Sequence, residues 1–368
     1  MRRKISQIIM IITVLLMLFL PSVLMCVNSL FNLEIGKNRH KVVTPPALSM
    51  NNIGKFPGEY ENWLDNNHPF HDDLKTFWAK FNFGVFKESG SSGVVVGRSN
   101  GADEETWLFY SDDTDQNPIK DAQGVSAFRD SLQNCMAHNA TKYTELLEQK
   151  GIDLYYLVIP NKENTYREML PDSIKIYDVS SRVDKVIEKI AKGANVIYLK
   201  SVLNDKKETG QLYYAQDTHW NDYGAYVGFK EVLAQIEPSY KMAEAKVSFN
   251  KKQINRDLVG PMGLYDYFVD NIPTVEYLPE QNYEVVEKND AVIVTKNENA
   301  PIEKTLMVVG DSYRQNLPQF FAKTFKRTVF IDRRKYKPNM LEQYGPDTVL
   351  ALFVERYAGS ICELALMK

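Results

Sequence analysis

The chain of 368 residues is poor in the side chains that most often carry chemistry: it has five histidines and three cysteines. It also lacks an excess of either charge. Forty-four Lys and Arg stand against 47 Asp and Glu, for a formal net charge of -3, and no basic stripe interrupts that balance, so nucleic-acid binding is not expected. There is no internal repeat and no long low-complexity stretch, which removes solenoids and disordered arrays. The pair His68 and His71 has metal-like spacing but no third candidate ligand nearby in sequence, so no metal site is assigned. No cofactor motif is evident either. Cys26 falls within an apolar run, leaving Cys135 and Cys362. A bridge between them is possible in an oxidising compartment, but the spacing does not pair them, and they read as two isolated small apolar side chains.

Long apolar runs are scarce, with one exception. Residues 5–27 are almost uninterruptedly apolar and follow Arg2-Arg3-Lys4. A helix of about 20 such residues crosses a hydrocarbon core, and basic residues on its short side place that side in the cytoplasm. The run exceeds a signal-peptide core and is not followed by an Ala-x-Ala-like cleavage site. The expectation is therefore a single-pass anchor over residues 1–30, a polar linker over 31–56 containing Pro45-Pro46, and an extracytoplasmic domain over 57–368.

Within that domain, Leu74, Phe77, Trp78 and Phe81 recur at helical spacing and predict a core-facing stripe. Two short strands are expected over 93–97 and 106–110. Helices then alternate with continuous apolar strands: helices over 126–149, 180–191, 225–236 and 319–325, and strands over 154–159, 196–199, 305–309, 328–331 and 349–354. Strands of this kind belong to a parallel sheet covered on both faces. Residues 246–300 break the alternation and read as an insertion or antiparallel excursion.

What chemistry there is concentrates in two short motifs. Asp217-Thr218-His219-Trp220 precedes a helix, and Gly310-Asp311-Ser312-Tyr313 follows the strand of residues 305–309. A serine hydroxyl attacks a carbonyl at neutral pH only when an imidazole takes its proton and a third group orients that imidazole. In an extended segment, Asp217 and His219 project to one side, so the carboxylate can reach Nδ1 while Nε2 faces a serine. Both motifs fall at strand ends, where open α/β sheets gather reactive groups, and the Ser312 amide is a candidate oxyanion donor. Locally an Asx turn capping the helix near Asn221-Asp222, with His219 exposed, accounts for the first motif equally well.

Together with VVVGR and WLFY at 94–98 and 107–110, VIPNKENTYREMLP at 158–171 and PDTVLALFVER at 346–356, these motifs resemble the alginate O-acetyltransferase group of SGNH-like proteins, the AlgJ/AlgX-like or DHHW proteins. The likeness covers roughly residues 57–357. It implies an SGNH-hydrolase-like α/β/α sandwich with a mostly parallel central sheet, preceded here by the transmembrane helix. It further implies a triad of Asp217, His219 and Ser312, with the aspartate and histidine ahead of the serine, as is typical of the acetyltransferases. The activity it implies is O-acetylation of a cell-surface or secreted polysaccharide through an acyl-serine, with a multi-spanning membrane acyltransferase as acetyl donor. A carbohydrate acetyl esterase using water, or a non-catalytic scaffold of polysaccharide export, are the alternatives. Lys162 and Tyr166, following a strand end, are candidate pocket residues, with a solvated Lys162 and a packed Tyr166 as the equal alternative; Tyr313 and Arg314, beside Ser312, are candidate substrate or oxyanion contacts. Two departures stand out: about six residues over 99–104 split the usual GR-G-WLFY element, and no carbohydrate-binding module follows VERY.

Overall fold

A computed structural model describes residues 2–31, 44–242, 244–277 and 283–367. The chain divides into two compact units, 1–90 and 91–368. The first unit consists of α1 (Arg2–Phe31), α2 (Phe56–Asn67) and α3 (His71–Phe86). The apolar run of residues 5–27 is thus helical. Several α1 side chains, and residues 32–43 of the expected linker, lie outside the described residues, and among the described residues no helix is long and apolar enough to cross a membrane.

The stripe on α3 does not form a core. Phe77 is 67% exposed and Trp78 58%, and Leu74 and Phe81 are exposed too, whereas Ala79 and Phe83 are buried. At 100° per residue Phe83 lies opposite Leu74, so α3 turns its strongest apolar face outward. The physical reason is a shortage of layers: α2 covers one side of α3, and a single neighbouring helix cannot cover both.

The second unit begins with a ribbon of β1 (Val94–Ser99) and β2 (Thr106–Tyr110), paired antiparallel with a bulge between Val96 and Ser99. Then come α4 (Pro118–Ala122), α5 (Asp130–Glu148), β3 (Asp153–Ile159), α6 (Lys162–Thr165), α7 (Ile187–Ala191), β4 (Asn195–Tyr198), α8 (Lys200–Lys206) and α9 (Asp222–Ile236). They are followed by β5 (Lys246–Gln253), α10 (Val259–Met262), β6 (Val269–Glu276), β7 (Glu284–Lys288), β8 (Val292–Lys296), β9 (Ile302–Gly310), α11 (Pro318–Thr324), β10 (Phe325–Asp332), α12 (Asn339–Tyr344) and β11 (Thr348–Val354).

Seven strands form the main sheet in the order β4-β3-β11-β9-β10-β8-β7. The first five are mutually parallel, while β8 and β7 join as an antiparallel edge. The segment 246–300, read as an insertion or antiparallel excursion, divides: β5 and β6 make a separate two-stranded antiparallel ribbon, and β7 and β8 extend the sheet as its antiparallel edge. Alternation along the central strands sends Leu350, Leu352 and Val354 into one core with α9 and α11, and Val349, Ala351 and Phe353 into another with α5 and α7. Both faces are buried, which is why these strands read as unbroken apolar runs.

Cys135 on α5 and Cys362 form a disulfide, with Cα atoms 5.3 Å apart. This corrects the expectation of two isolated cysteines. The segment Glu355–Cys362 packs along α5, and that packing, invisible in the spacing, brings the thiols together.

Candidate active site

The carboxyl ends of β3, β11 and β9 lie side by side and end at Ile159, Val354 and Gly310. At Gly310 a Cβ would sit 2.8 Å from Leu352 Cβ, so glycine is required there by the close approach of β11. Asp311 caps the turn that follows. Its Oδ1 accepts from the Tyr313 amide at 3.1 Å and its Oδ2 from the Val354 amide at 2.7 Å, tying the end of β9 to the end of β11. Ser312 is then the first residue of a short 3-10 turn, Ser312–Asn316, where leading N–H groups have no partner within the turn.

The other motif lies in a tight loop before α9. Tyr213 and Trp220 form an isolated antiparallel bridge, and Asn221 caps α9 by accepting from the Gly224 amide at 2.9 Å. The capping role that competed with catalysis thus belongs to Asn221, which frees the residues ahead of it. His219 Nε2 stands 2.7 Å from Ser312 Oγ, and its Nδ1 stands 2.7 Å from Asp217 Oδ1. The same carboxylate oxygen accepts the His219 amide at 3.0 Å. Burial opposes ionisation of Asp217, but its bonds to His219 outweigh that and hold the carboxyl down at about 2. The His219 side chain is 26% exposed, and Ser312 is half-buried, so the reacting end of this relay can be reached.

Asp257, on the loop between β5 and α10, is a residue the sequence did not single out. It accepts from the Thr218 amide (2.9 Å) and hydroxyl (2.6 Å), and its Oδ2 is 3.6 Å from His219 Nδ1. Asp217, His219 and Asp257 form a cluster whose ligand-type atoms lie within 4.8 Å of one another. In that cluster the 2.7 Å contact between Nδ1 and Asp217 has the length of a charge-assisted hydrogen bond.

The two motifs are clasped reciprocally. Trp220 Nε1 donates to the Tyr313 carbonyl at 3.0 Å, and the Tyr313 hydroxyl donates to the Thr218 carbonyl. Both rings are fully buried. Tyr313 is therefore a fastener and cannot meet a substrate, contrary to the sequence expectation. Arg314 is similarly engaged, donating to the Asp311 carbonyl at 2.9 Å and lying 3.6 Å from Asp332.

Neither Lys162 nor Tyr166 lines an accessible pocket: Tyr166 takes the packed alternative, while Lys162 is neither pocket-lining nor solvated. Tyr166 is buried, accepts from the Leu212 amide at 2.9 Å and packs on Trp107 with ring centroids 4.3 Å apart. Lys162 is 0% exposed, and its ammonium donates to the carbonyls of Leu108 and Asp217 at 2.5 Å and Ala215 at 3.1 Å. The turn after β3 enters the interior because its polar groups find partners there: Asn161 N–H and Asn164 Nδ2 both donate to Glu355 Oε2.

Comparison with known proteins places this geometry. Residues 100–332 match the family described as SGNH hydrolase-like domain, acetyltransferase AlgX. The probable alginate O-acetylase AlgJ of Pseudomonas putida is 24% identical over 333 residues, covering 83% of this chain and 80% of that protein. The corresponding Pseudomonas syringae protein is 25% identical over 190 residues, so this chain covers only 43% of its length. Among solved structures, Bacillus cereus PatB1 aligns with a TM-score of 0.56 at 17% identity, over 74% of this chain and 100% of that one. A DHHW family protein from Eubacterium siraeum aligns with a TM-score of 0.55 at 17% identity, over 75% and 96%. These likenesses bear on the fold.

Proposed function

This chain belongs to the AlgX-type SGNH hydrolase-like acetyltransferase family, and from that premise we propose that it transfers acetyl groups to hydroxyls of a cell-surface or secreted polysaccharide through an acyl-serine at Ser312. The observation that carries this reading is the continuous relay from Asp217 through His219 to Ser312 Oγ, with both hydrogen bonds at 2.7 Å.

In the first half-reaction Ser312 Oγ attacks the acetyl carbonyl of the donor while His219 Nε2 takes its proton. Asp217 holds Nδ1–H and stabilises the imidazolium. The Tyr313 and Arg314 amides are already bonded to Asp311, so the Ser312 amide is the donor this turn has to offer the oxyanion. Collapse expels the donor oxygen, which takes the proton from His219, and leaves acetyl-Ser312. A sugar hydroxyl then gives its proton to Nε2, attacks the acetyl ester and displaces Ser312 Oγ, which recovers the proton.

The proposal extends to location. The apolar helix α1 behind Arg2-Arg3-Lys4 is read as a single-pass anchor, with the catalytic domain outside the cytoplasm. The Cys135–Cys362 disulfide supports an oxidising compartment. Outside the cytoplasm the acetyl group must be delivered across the membrane, and the donor in this reading is a multi-spanning membrane acyltransferase.

Purified full chain incubated with p-nitrophenyl acetate should release one equivalent of nitrophenol in a burst and yield an acetylated Ser312 peptide by mass spectrometry. Added oligosaccharide should then become acetylated. Release to water alone would favour an esterase, and absence of acetyl-Ser312 would favour a scaffold. If cells carrying Ser312→Ala keep fully acetylated surface glycan, the reading fails.

A further inference from the structure

The ammonium of Lys162 has no part in the relay, yet it lies directly beneath it. Four backbone carbonyls converge on Nζ: Leu108 at 2.5 Å, Asp217 at 2.5 Å, Ala215 at 3.1 Å and Tyr214 at 3.4 Å. Three of these belong to the loop that carries Asp217 and His219, and the fourth belongs to β2. Only a protonated amine has three N–H groups to offer such a set. The faces of Phe109 and Trp107 lie 5.2 and 5.9 Å from the same nitrogen, and aromatic faces favour a cation. Burial lowers the ammonium's pKa, while Glu163, Asp257, Asp217 and Asp270 oppose that and favour the charge.

The rest of the loop shows how much depends on this one nitrogen. The Ala215 amide is held by Asp270 at 2.9 Å, the Gln216 carbonyl by the Leu258 amide at 3.2 Å and the Thr218 amide by Asp257 at 2.9 Å. The Asp217 carbonyl has no such neighbour among the described contacts except Lys162. Without the charge, carbonyl dipoles from β2 and the loop would point at one another across a dry gap, and an unsatisfied buried carbonyl is costly. The cheapest relief is rotation of the Asp217 peptide, which moves the carboxylate that orients His219.

We propose that Lys162 is a positioning residue, an internal cation whose charge holds the carbonyls of residues 214–217 and so sets Asp217 and His219 for reaction with Ser312. This rests on the acyl-serine reading for its consequence in rate, but the loop-holding role is measurable without it.

The test compares full-length chain in detergent with two variants. Lys162→Met keeps the bulk and removes the charge. Acylation of Ser312 by p-nitrophenyl acetate should slow by about 100-fold or more, as expected when a reacting group is displaced by about 1 Å, while KM stays within about threefold. Amide hydrogen exchange should accelerate in residues 211–221 and not in 348–354. Lys162→Cys, made with Cys26→Ser, is alkylated under denaturant without reductant and refolded. Aminoethylation, which restores an ammonium, should recover acylation to within about tenfold, whereas a neutral propyl group should not, a contrast that separates charge from volume. Equal recovery by both groups, no recovery with the aminoethyl group, or unchanged exchange at 211–221 in Lys162→Met would overturn the proposal. If wild-type chain is never acylated at Ser312 while exchange still accelerates in Lys162→Met, the acyl-serine reading fails and the role of Lys162 in holding the loop stands.

Discussion

The two units of this chain carry the same sequence signal and put it to opposite use. In α9, apolar residues at helical spacing, Ala225, Phe229, Val232 and Leu233, are buried against the sheet. In α3, Leu74, Phe77, Trp78 and Phe81 have equally regular spacing and face outward. Periodicity states that a face is apolar; it does not state that the molecule has a layer to put over it. The α/β unit has a seven-stranded sheet to cover α9, whereas among the described residues of the first unit α3 packs on a neighbouring helix, α2. An exposed apolar patch of this kind has a use in binding or at a membrane surface, which suits a unit that begins with the proposed anchor.

That contrast can be pressed at several points. Nothing in the first unit should matter as much to chemistry as Asp217. Asp217→Asn removes the acceptor that fixes the His219 tautomer, and acylation of Ser312 should fall by about 10⁴-fold; a loss below tenfold would show that Asp257 alone can orient the ring. The same variant gives a pH test. The Asp217 carboxyl is held at about 2, below its ordinary value of 3.8. Its stabilising contribution, on the order of 2 kcal/mol, is therefore present above about pH 4 and is lost as pH falls through about 2. The gap in thermal unfolding between wild type and Asp217→Asn should be steady near neutrality and close below about pH 3.

Next in size is the covered face. Phe229→Ala, in a fully buried position of α9, should cost about 3–5 kcal/mol in denaturant unfolding. Removing both cysteines, Cys135→Ala with Cys362→Ala, should cost about 2–4 kcal/mol, since the bridge closes a loop across most of the α/β unit. The smallest effect should come from the outward face: Phe77→Ser is expected to change stability by less than about 0.5 kcal/mol, while weakening recovery of the chain in the membrane fraction. A chain starting at Ser91 should unfold at nearly the wild-type temperature and still be acylated. If Phe77→Ser destabilises as much as Phe229→Ala, the α3 face is buried in solution and the contrast between the two helices fails.

Much of the sheet was legible because burial on both faces leaves a simple trace. Residues 154–159, 305–309 and 349–354 appear as unbroken apolar runs, and all three lie within central parallel strands. The antiparallel edge was harder, since β7 is mostly exposed and carries no such run. At the site, Asp217, His219 and Ser312, which the structure joins by two 2.7 Å contacts, could be singled out because a serine relay requires those residue types in turn-like settings. Asp257 could not, because nothing in its neighbourhood separates it from other loop aspartates until Thr218 is placed beside it. Lys162 was misread for a related reason. A lysine after a strand end is ordinarily solvated, and the four carbonyls that receive it come from residues 108 and 214–217, distant in sequence. The helix expected over 180–191 is regular only over Ile187–Ala191; ahead of it Ser181 and Asp184 bond to each other's amides, the reciprocal pattern of a capping box, and turns carry the chain from there into the regular part.

β11 is the last strand in chain order, yet it lies between β3 and β9 in the middle of the sheet. The Asp311 carboxylate that shapes the serine turn takes its second partner from the Val354 amide at the end of that strand. A growing chain therefore cannot complete the hold on the Ser312 turn until residue 354 has emerged, and contacts this distant in sequence form late. The turn that carries Ser312 is thus completed only by the final strand, so a chain that stops short of Val354 should lack its second tie.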